Sequence, residues 1–386
     1  MARPLLLTEN YPPDRGGMAQ SCDRIVRGLR RSGGIDVVHF SRKHAAIDTE
    51  RQEHGTLVRC PIDDDPGHWL NLLWNELREL RPSHVVAFGG YAPVLAAPSL
   101  AAWWGAPLVT LMRGNDFDAA VFSPRRGWML RDALSRSALV CAVSRDHVRR
   151  ISALFPATPV RWIPNGIDAA EWTLEPHDLE RARRWRAQEV EPGRRVLGLF
   201  GQLKSKKGGA FFLDALRRAG HEGRFHLLLV GEAEPEMLAR LLSIESAVSW
   251  THVPFVDRWE LLPWYAACDL VVIPSHYDGL PNVLLEAGAL GVPALASTAG
   301  AMPDLLGDGE NALLFRAGDP HDCRRAIDDA AAVDDATLRE LGSRLAATIA
   351  RDFTSDGETS RYLEALRDTA RSTAGERRSP LQEQER

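Results

Sequence analysis

Eleven apolar runs of four to six residues punctuate the chain between Pro4 and Ala296, and stretches with helical spacing separate most of them. The first six are Pro4–Thr8, Ile35–Phe40, His84–Phe88, Pro107–Met112, Leu139–Val143 and Val160–Ile163. The rhythm then restarts with Val196–Phe200, Phe225–Val230, Val248–His252, Leu270–Ile273 and Pro293–Ala296. Strands this apolar on both sides fit a parallel sheet covered on both faces, and helices such as Met18–Arg31 and Trp69–Leu80 supply the cover. Between the two series lies the charged stretch Asp168–Arg195, with Pro176, Pro192-Gly193 and one helix expected over Asp178–Ala187. The expected fold is therefore α/β, with two doubly wound Rossmann-like domains facing a central cleft. The first domain is expected over residues 1–168, a linker over 169–194 and the second domain over 195–350. A helix over 351–371 should return toward the first domain. A disordered tail rich in Arg, Glu, Gln and Ser is expected over 372–386. At roughly 150 residues per domain, 386 residues agree with this division.

Composition removes several function classes. A hydrophobic share of 45% with 26% charged residues is that of a folded globular chain. No apolar run approaches the roughly 20 residues of a membrane-spanning helix. Leu5-Leu6-Leu7 runs directly into Glu9 and two prolines, which reads as a buried strand and not as a signal peptide. Five cysteines, odd in number and never spaced as Cys-x-x-Cys, point to a reduced, cytoplasmic, metal-free chain. A net charge of -5 offers no case for nucleic acid. It divides into +4 through residue 170 and -9 after it, an asymmetry that suits two binding tasks or two unequal solvated surfaces.

In doubly wound sheets the loops leaving strand C-termini line the ligand crevice, so chemistry is sought there. Lysine is the sharpest signal. Three of the four lysines fall in Gly201-Gln202-Leu203-Lys204-Ser205-Lys206-Lys207-Gly208-Gly209, between the strand Val196–Phe200 and a helix expected over Ala210–Arg218. Glycines let main-chain amides approach a phosphate, the helix N-terminus favours an anion, and lysine adds a mobile charge. The GxxxxGK[ST] pattern of a P-loop cannot be placed here. The plain alternative is a solvated basic turn.

The second loop reads Pro274-Ser275-His276-Tyr277-Asp278-Gly279-Leu280-Pro281-Asn282-Val283-Leu284-Leu285-Glu286-Ala287. Asn282 is expected as the N-cap of a helix over Val283–Leu290, leaving the amides of Val283 to Leu285 aimed at a diphosphate. Glu286, one turn in, and Asp278, before the helix, suit ribose and sugar hydroxyls. An acid in a first turn also serves simply to offset the helix dipole.

These residues resemble the retaining glycosyltransferases of the GT-B fold known as family 4. Their signature is an acid-x7-Glu spacing after a Pro-Ser strand end, and here Asp278 and Glu286 stand eight apart. Gly291-Val292-Pro293 and Gly300-Ala301-Met302-Pro303-Asp304 are similar to two further segments of that family. So are Tyr11-Pro12-Pro13-Asp14-Arg15-Gly16-Gly17, Ile163-Pro164-Asn165-Gly166-Ile167-Asp168 and the loop ending in Lys207. The likeness spans about residues 3 to 350. It implies sugar transfer from a nucleotide-diphosphate sugar with retention. The second domain would hold the donor. The first would hold an unidentified acceptor, whether a glycan, lipid-linked or a small molecule.

The resemblance places Glu286 on the donor ribose and Asp278 by the donor sugar. The amides of Gly279, Leu280, Asn282 and Val283 lie near sugar and phosphate, and Lys207 on the diphosphate. Gly231 and Phe255 fall where the family lines its base and ribose pocket, and the amide of Gly17 approaches the phosphates. The chain departs from the family at three of these places. Gln202 stands where arginine is usual, Asp278 where glutamate is usual, and Arg113-Gly114-Asn115-Asp116 where His-Gly-x-Asp is usual. Lys204 or Lys206 is the expected substitute for the missing charge. Arg113 stays protonated and cannot be a general base. Arg113 and Asp116 are kept as site residues, beside the alternative of an ion pair that holds the loop.

Asp116-Phe117-Asp118 also spells a DxD metal pattern, and Asp63-Asp64-Asp65 is a run of acids. Lysine and helix amides already suffice for a leaving diphosphate, so neither a metal nor another cofactor is expected. The helix Met18–Arg31, with Arg24, Arg27, Arg30 and Arg31 beside Ile25, Val26 and Leu29, is the place for weak association with a membrane surface. Trp69, Trp74, Trp103, Trp104 and Trp128 gather in the first domain, as packing or as a stacking surface for acceptor. A nucleotide-sugar epimerase or phosphorylase on the same scaffold remains open. So does a noncatalytic nucleotide-sugar-binding subunit.

Overall fold

The structure, a computed structural model, describes residues 2–243 and 248–376. It divides into two compact units, residues 1–165 with 355–386 and residues 166–354. In the first, the chain runs β1 Leu5–Thr8, α1 Gly17–Ser32, β2 Asp36–Ser41, β3 Asp48–Gln52, β4 Gly55–Pro61, α2 Pro66–Leu77 and β5 Val85–Phe88. It continues as α3 Ala92–Trp104, β6 Leu108–Met112, α4 Asn115–Val121, α5 Gly127–Arg136, β7 Leu139–Ala142, α6 Arg145–Leu154 and β8 Val160–Trp162. The sheet order is β3-β4-β2-β1-β5-β6-β7-β8, parallel except at β3–β4.

The second unit holds α7 Pro176–Glu189, β9 Arg195–Phe200, α8 Gly209–Ala219, β10 Phe225–Val230, α9 Pro235–Leu242, β11 Ser249–Val253 and α10 Leu262–Ala266. It then adds β12 Leu270–Ile273, α11 Asn282–Ala289, β13 Ala294–Ser297, β14 Ala312–Phe315, α12 Pro320–Ala332 and α13 Asp335–Asp352. Its sheet is fully parallel in the order β11-β10-β9-β12-β13-β14. Helix α14, Ser355–Glu376, packs on α1 within the first unit.

Strand alternation explains the cores. Successive side chains of a strand leave on opposite faces, so Leu5 and Leu7 pack with Trp69 and Leu73 of α2, while Leu6 packs with Ile25 and Val26 of α1 and Tyr362 of α14. In the second unit Leu197 and Leu199 meet Phe212 and Leu216 of α8 and Ile327 of α12. Fully burying one such side chain contributes about 1.5 to 3 kcal/mol.

The sequence reading missed two features. A hairpin, β3–β4, occupies a stretch read as loop, because its edge strand Asp-Thr-Glu-Arg-Gln is exposed and polar. Its charges answer one another across the pair: Arg59 holds Asp48 at 2.7 Å and Glu50 at 2.5 Å. Strand β14 was also missed. The stretch 169–194, expected as a linker, packs on the second unit. Arg186 of α7 donates to the Ala267 carbonyl at 2.8 Å and to Asp269 at 3.0 Å. The tail expected to be disordered from Ser372 is helical to Glu376, and residues 377–386 lie outside the described residues.

The membrane reading of α1 loses its basis. Ile25, Val26 and Leu29 are core residues, Arg24 pairs with Glu358 at 2.7 Å and Arg27 with Asp23 at 3.0 Å, and Arg30 donates to Gln52 at 2.7 Å. Among the described residues no helix is long and apolar enough to cross a membrane. All five cysteines are buried free thiols.

Candidate active site

The second sheet winds outward from β9 to β11 on one side and from β12 to β14 on the other, so its switch point lies between β9 and β12. A doubly wound sheet opens its ligand crevice at that point. The two loops singled out in the sequence leave these two strands. The Lys206 carbonyl accepts the His276 N–H at 3.0 Å, which ties one loop to the other. At Gly208, with φ 69°, an added Cβ would lie 1.9 Å from the Pro274 carbonyl oxygen. The backbones approach closely enough that only glycine fits.

This approach brings Lys207 and Asp278 together as an ion pair, 71 positions apart in sequence. Asp278, 15% exposed, is oriented by two further hydrogen bonds: its Oδ1 accepts the Gly279 N–H at 2.9 Å, and the Ser275 hydroxyl donates to Oδ2 at 3.4 Å. The Gly279 carbonyl in turn accepts Ala301 N–H at 2.9 Å, which fixes the loop against the segment after β13.

Helix α11 begins at Asn282, with Pro281 as the residue before it and no side-chain cap, so the expected N-cap at Asn282 is corrected to the first helical position. The Leu284 amide is bonded to the Pro281 carbonyl at 3.1 Å and is not available to a ligand as expected. Val283 stands in the first turn, where main-chain amides lack intrahelical acceptors. Leu280 is buried.

Glu286 is 6% exposed, and its Oε2 accepts the Tyr265 hydroxyl at 2.7 Å. Tyr265 is fully buried and stacked on Phe200 at 4.0 Å, and burial, with the Glu286 carboxylate beside it, raises its pKa well above the ordinary value. Gly231 closes against the Gly201 carbonyl, and its amide donates to Val253 at 2.8 Å. Phe255, past β11, is 48% exposed, and Gln202 is exposed at the head of the lysine loop.

The remaining expected residues lie in the first unit. Gly17 opens α1 after Gly16. The Arg113 guanidinium is buried, donating to Tyr362 and Asn165, with Glu358 at 3.3 Å. Asp116 accepts the amides of Arg113 at 3.0 Å and Phe117 at 3.0 Å, and burial lifts its carboxyl above the usual carboxylate range. Asp118 faces elsewhere, toward Arg150 at 2.6 Å and His147 at 3.3 Å. The two acids of the DxD pattern therefore serve separate partners. Asp65 caps α2 through Gly67 N–H at 2.9 Å, and Asp63 meets His68 at 2.8 Å. Among the described residues no group of three or more His, Cys, Asp or Glu could hold a metal.

Sequence reasoning missed Tyr265 and the trio Glu358, Tyr362 and Asn165 around Arg113. Nothing in Leu262–Ala266 marks a partner for Glu286. Asn165 lay in a motif already noted, which offered the only sign of the trio.

Comparison with known proteins bears on both units. A family described as glycosyl transferases group 1 matches residues 194–332, and glycosyltransferase family 4 matches residues 15–171. A D-inositol 3-phosphate glycosyltransferase of Acidothermus cellulolyticus is 30% identical over 357 residues, covering 80% of this chain and 76% of that protein. A GDP-mannose-dependent alpha-(1-6)-phosphatidylinositol monomannoside mannosyltransferase of Mycobacterium tuberculosis is 25% identical, covering 79% and 82%. Among solved structures, sucrose-phosphate synthase from Thermosynechococcus elongatus shares the fold with a TM-score of 0.79 at 18% identity, covering 96% of this chain and all of that one. Anabaena HepE, solved with UDP-glucose, does so with a TM-score of 0.75 at 19% identity, covering 95% and 100%. With both units matched, and a relative aligned along most of its own length, the chain belongs to the group 1, family 4 glycosyltransferases.

Proposed function

We propose that the protein is a retaining glycosyltransferase that moves a sugar from a nucleoside-diphosphate sugar to a hydroxyl of an acceptor. The observation that carries this reading is the Lys207–Asp278 ion pair at the β9/β12 switch point, beside the first turn of α11. An ammonium and helix amides preset at one place stabilise the negative charge that develops on a departing diphosphate. The bond from the anomeric carbon to the phosphate oxygen breaks, and a bond from that carbon to the acceptor oxygen forms on the same face. The acceptor proton passes to the leaving phosphate oxygen, and Lys207 stays protonated throughout. Asp278 is committed to Lys207 and Gly279, which argues against a covalent sugar on that carboxylate.

Glu286 is assigned to the ribose hydroxyls, with its orientation set by Tyr265. The first unit is assigned to the acceptor. Arg113 and Asp116 are assigned to shaping that unit, since an Arg113 Nη donates to Asn165 and the Asp116 carboxylate accepts the Arg113 amide. The names of the relatives bring inositol phosphate and phosphatidylinositol mannoside into the set of acceptors to try, and GDP-mannose and UDP-glucose into the set of donors. Lys207 and the helix amides supply the positive field that the reaction needs, so the proposal includes no resident metal. With five buried thiols, the reading places the enzyme in the cytoplasm.

The test is incubation with a panel of UDP-, GDP- and ADP-sugars, with and without inositol phosphate, following nucleoside diphosphate release and the anomeric coupling of the product. Release that depends on Lys207, with the donor configuration kept, supports the reading. Inversion would remove the retaining assignment. Conversion of donor alone to its epimer would favour the alternative enzyme, and absence of any turnover, hydrolysis included, the binding subunit.

A further inference from the structure

The loop that carries Lys207 begins with an amide, Gln202, so its positive charge comes from lysines alone. The three lysines are not equivalent. Lys207 is taken by Asp278. Lys204 is exposed and lies in the field of Glu234, whose carboxylate accepts both the Ser205 N–H and the Ser205 hydroxyl at 2.8 Å. Lys206 is half-buried, its ammonium stands 6.0 Å from the centroid of the Tyr277 ring, and among the described residues it is in no ion pair. Its carbonyl is bonded to His276, so its backbone is anchored to the very loop that presents Asp278. Burial, with help from Lys207 and Lys204, holds its pKa below the usual lysine value, while Asp278 opposes the shift. A half-buried ammonium beside an aromatic face, with its nearest carboxylate already paired to Lys207, is only partly compensated. An anion arriving at this spot would remove that cost.

We propose that Lys206 is a second donor-binding cation, directed at the terminal phosphate of the donor's diphosphate, with Tyr277 holding its ammonium in place. This rests on the reading of the site as a nucleotide-sugar site. The Lys207 charge is shared with Asp278, so one lysine leaves a diphosphate under-neutralised. Lys206 moves no proton; it stays an ammonium and contributes field and hydrogen bonds.

The test is calorimetric titration of the full chain with UDP, GDP and ADP, the tightest being carried forward beside its monophosphate. Variants are Lys206→Met, which keeps the aliphatic stem, Lys206→Arg, Gln202→Arg and the pair Gln202→Arg with Lys206→Met, each checked for an unchanged melting transition. Lys206→Met should weaken the diphosphate about tenfold and the monophosphate by less than about twofold, the size of one charge-assisted bond. Lys206→Arg should hold the diphosphate, and Gln202→Arg should restore it in the Lys206→Met background. Unchanged diphosphate affinity in Lys206→Met, or equal weakening of both nucleotides, overturns the proposal while leaving the nucleotide site standing. Failure of all three diphosphates to bind the parent protein would instead remove the underlying reading.

Discussion

The guanidinium of Arg113 meets the carboxylate of Glu358 at 3.3 Å, and both side chains are 1% exposed. Glu358 also receives Arg24 at 2.7 Å, while Arg113 donates to Asn165 and Tyr362. One carboxylate thus joins the loop after β6 and helix α1 to α14, far away in sequence. Charges this deep are tolerated only because each has its partner.

Glu358→Gln should therefore leave Arg113 and Arg24 without the carboxylate they share and cost about 3 to 5 kcal/mol. Arg113→Met should be similarly costly, and the double variant less costly than the sum of the two. Urea melts measure this. Diphosphate affinity at the second unit should stay within about twofold in each variant, as a packing role requires. A large loss of affinity at unchanged stability would show that Arg113 reaches the ligand.

Asp278→Asn removes the carboxylate that shares the Lys207 charge. Diphosphate should then bind more tightly, by about tenfold, because the ammonium no longer leaves a partner to meet phosphate. Sugar transfer should fall, since the amide cannot accept donor hydroxyls as a carboxylate does. Lys207→Ala should lose affinity and transfer together. Thermal shift with diphosphate, beside an assay of nucleoside diphosphate release, separates the two patterns.

Gly208→Ala should destabilise the second unit by at least about 2 kcal/mol, given the positive φ and the Pro274 carbonyl oxygen that a Cβ would strike. Gly220→Ala, also at positive φ but with nothing within 4 Å, should cost less. The difference between the two melts isolates the loop-to-loop approach from backbone strain.

His226 is 2% exposed, set between the Ser249 and Thr251 hydroxyls at 3.0 Å each. Burial first, and then Arg194 and Arg186, lower its pKa from 6.5 to about 4. Between those values the unfolded chain binds the proton and the folded chain does not. Stability from this group is thus complete above pH 6.5 and declines as pH falls toward about 4, by up to about 3 kcal/mol. His226→Gln should flatten that part of a pH-stability profile measured by denaturant.

Much of this could be read from residues in a row. Period and apolarity are local properties, so the ten runs from Pro4–Thr8 onward that became β1, β2, β5 to β10, β12 and β13 were legible, as was Val248–His252 within a residue of β11. The loops bearing Lys207 and Asp278 were legible for the same reason: they follow strands and carry unusual residue types. Edge strand β3 was not, because solvent on its outer side permits the polar composition of a loop.

Pairing belongs to another level. No spacing indicates that Lys207 meets Asp278, that Tyr265 closes on Glu286, or that Arg113 pairs with Glu358. Those contacts depend on which strands become neighbours and on how near two loops can come, and glycine at 208 permits the approach without naming its partner. Local pattern specifies what each segment is. Close packing of segments distant in the chain sets which charges face one another, because electrostatic and hydrogen-bond energies fall away within a few ångströms.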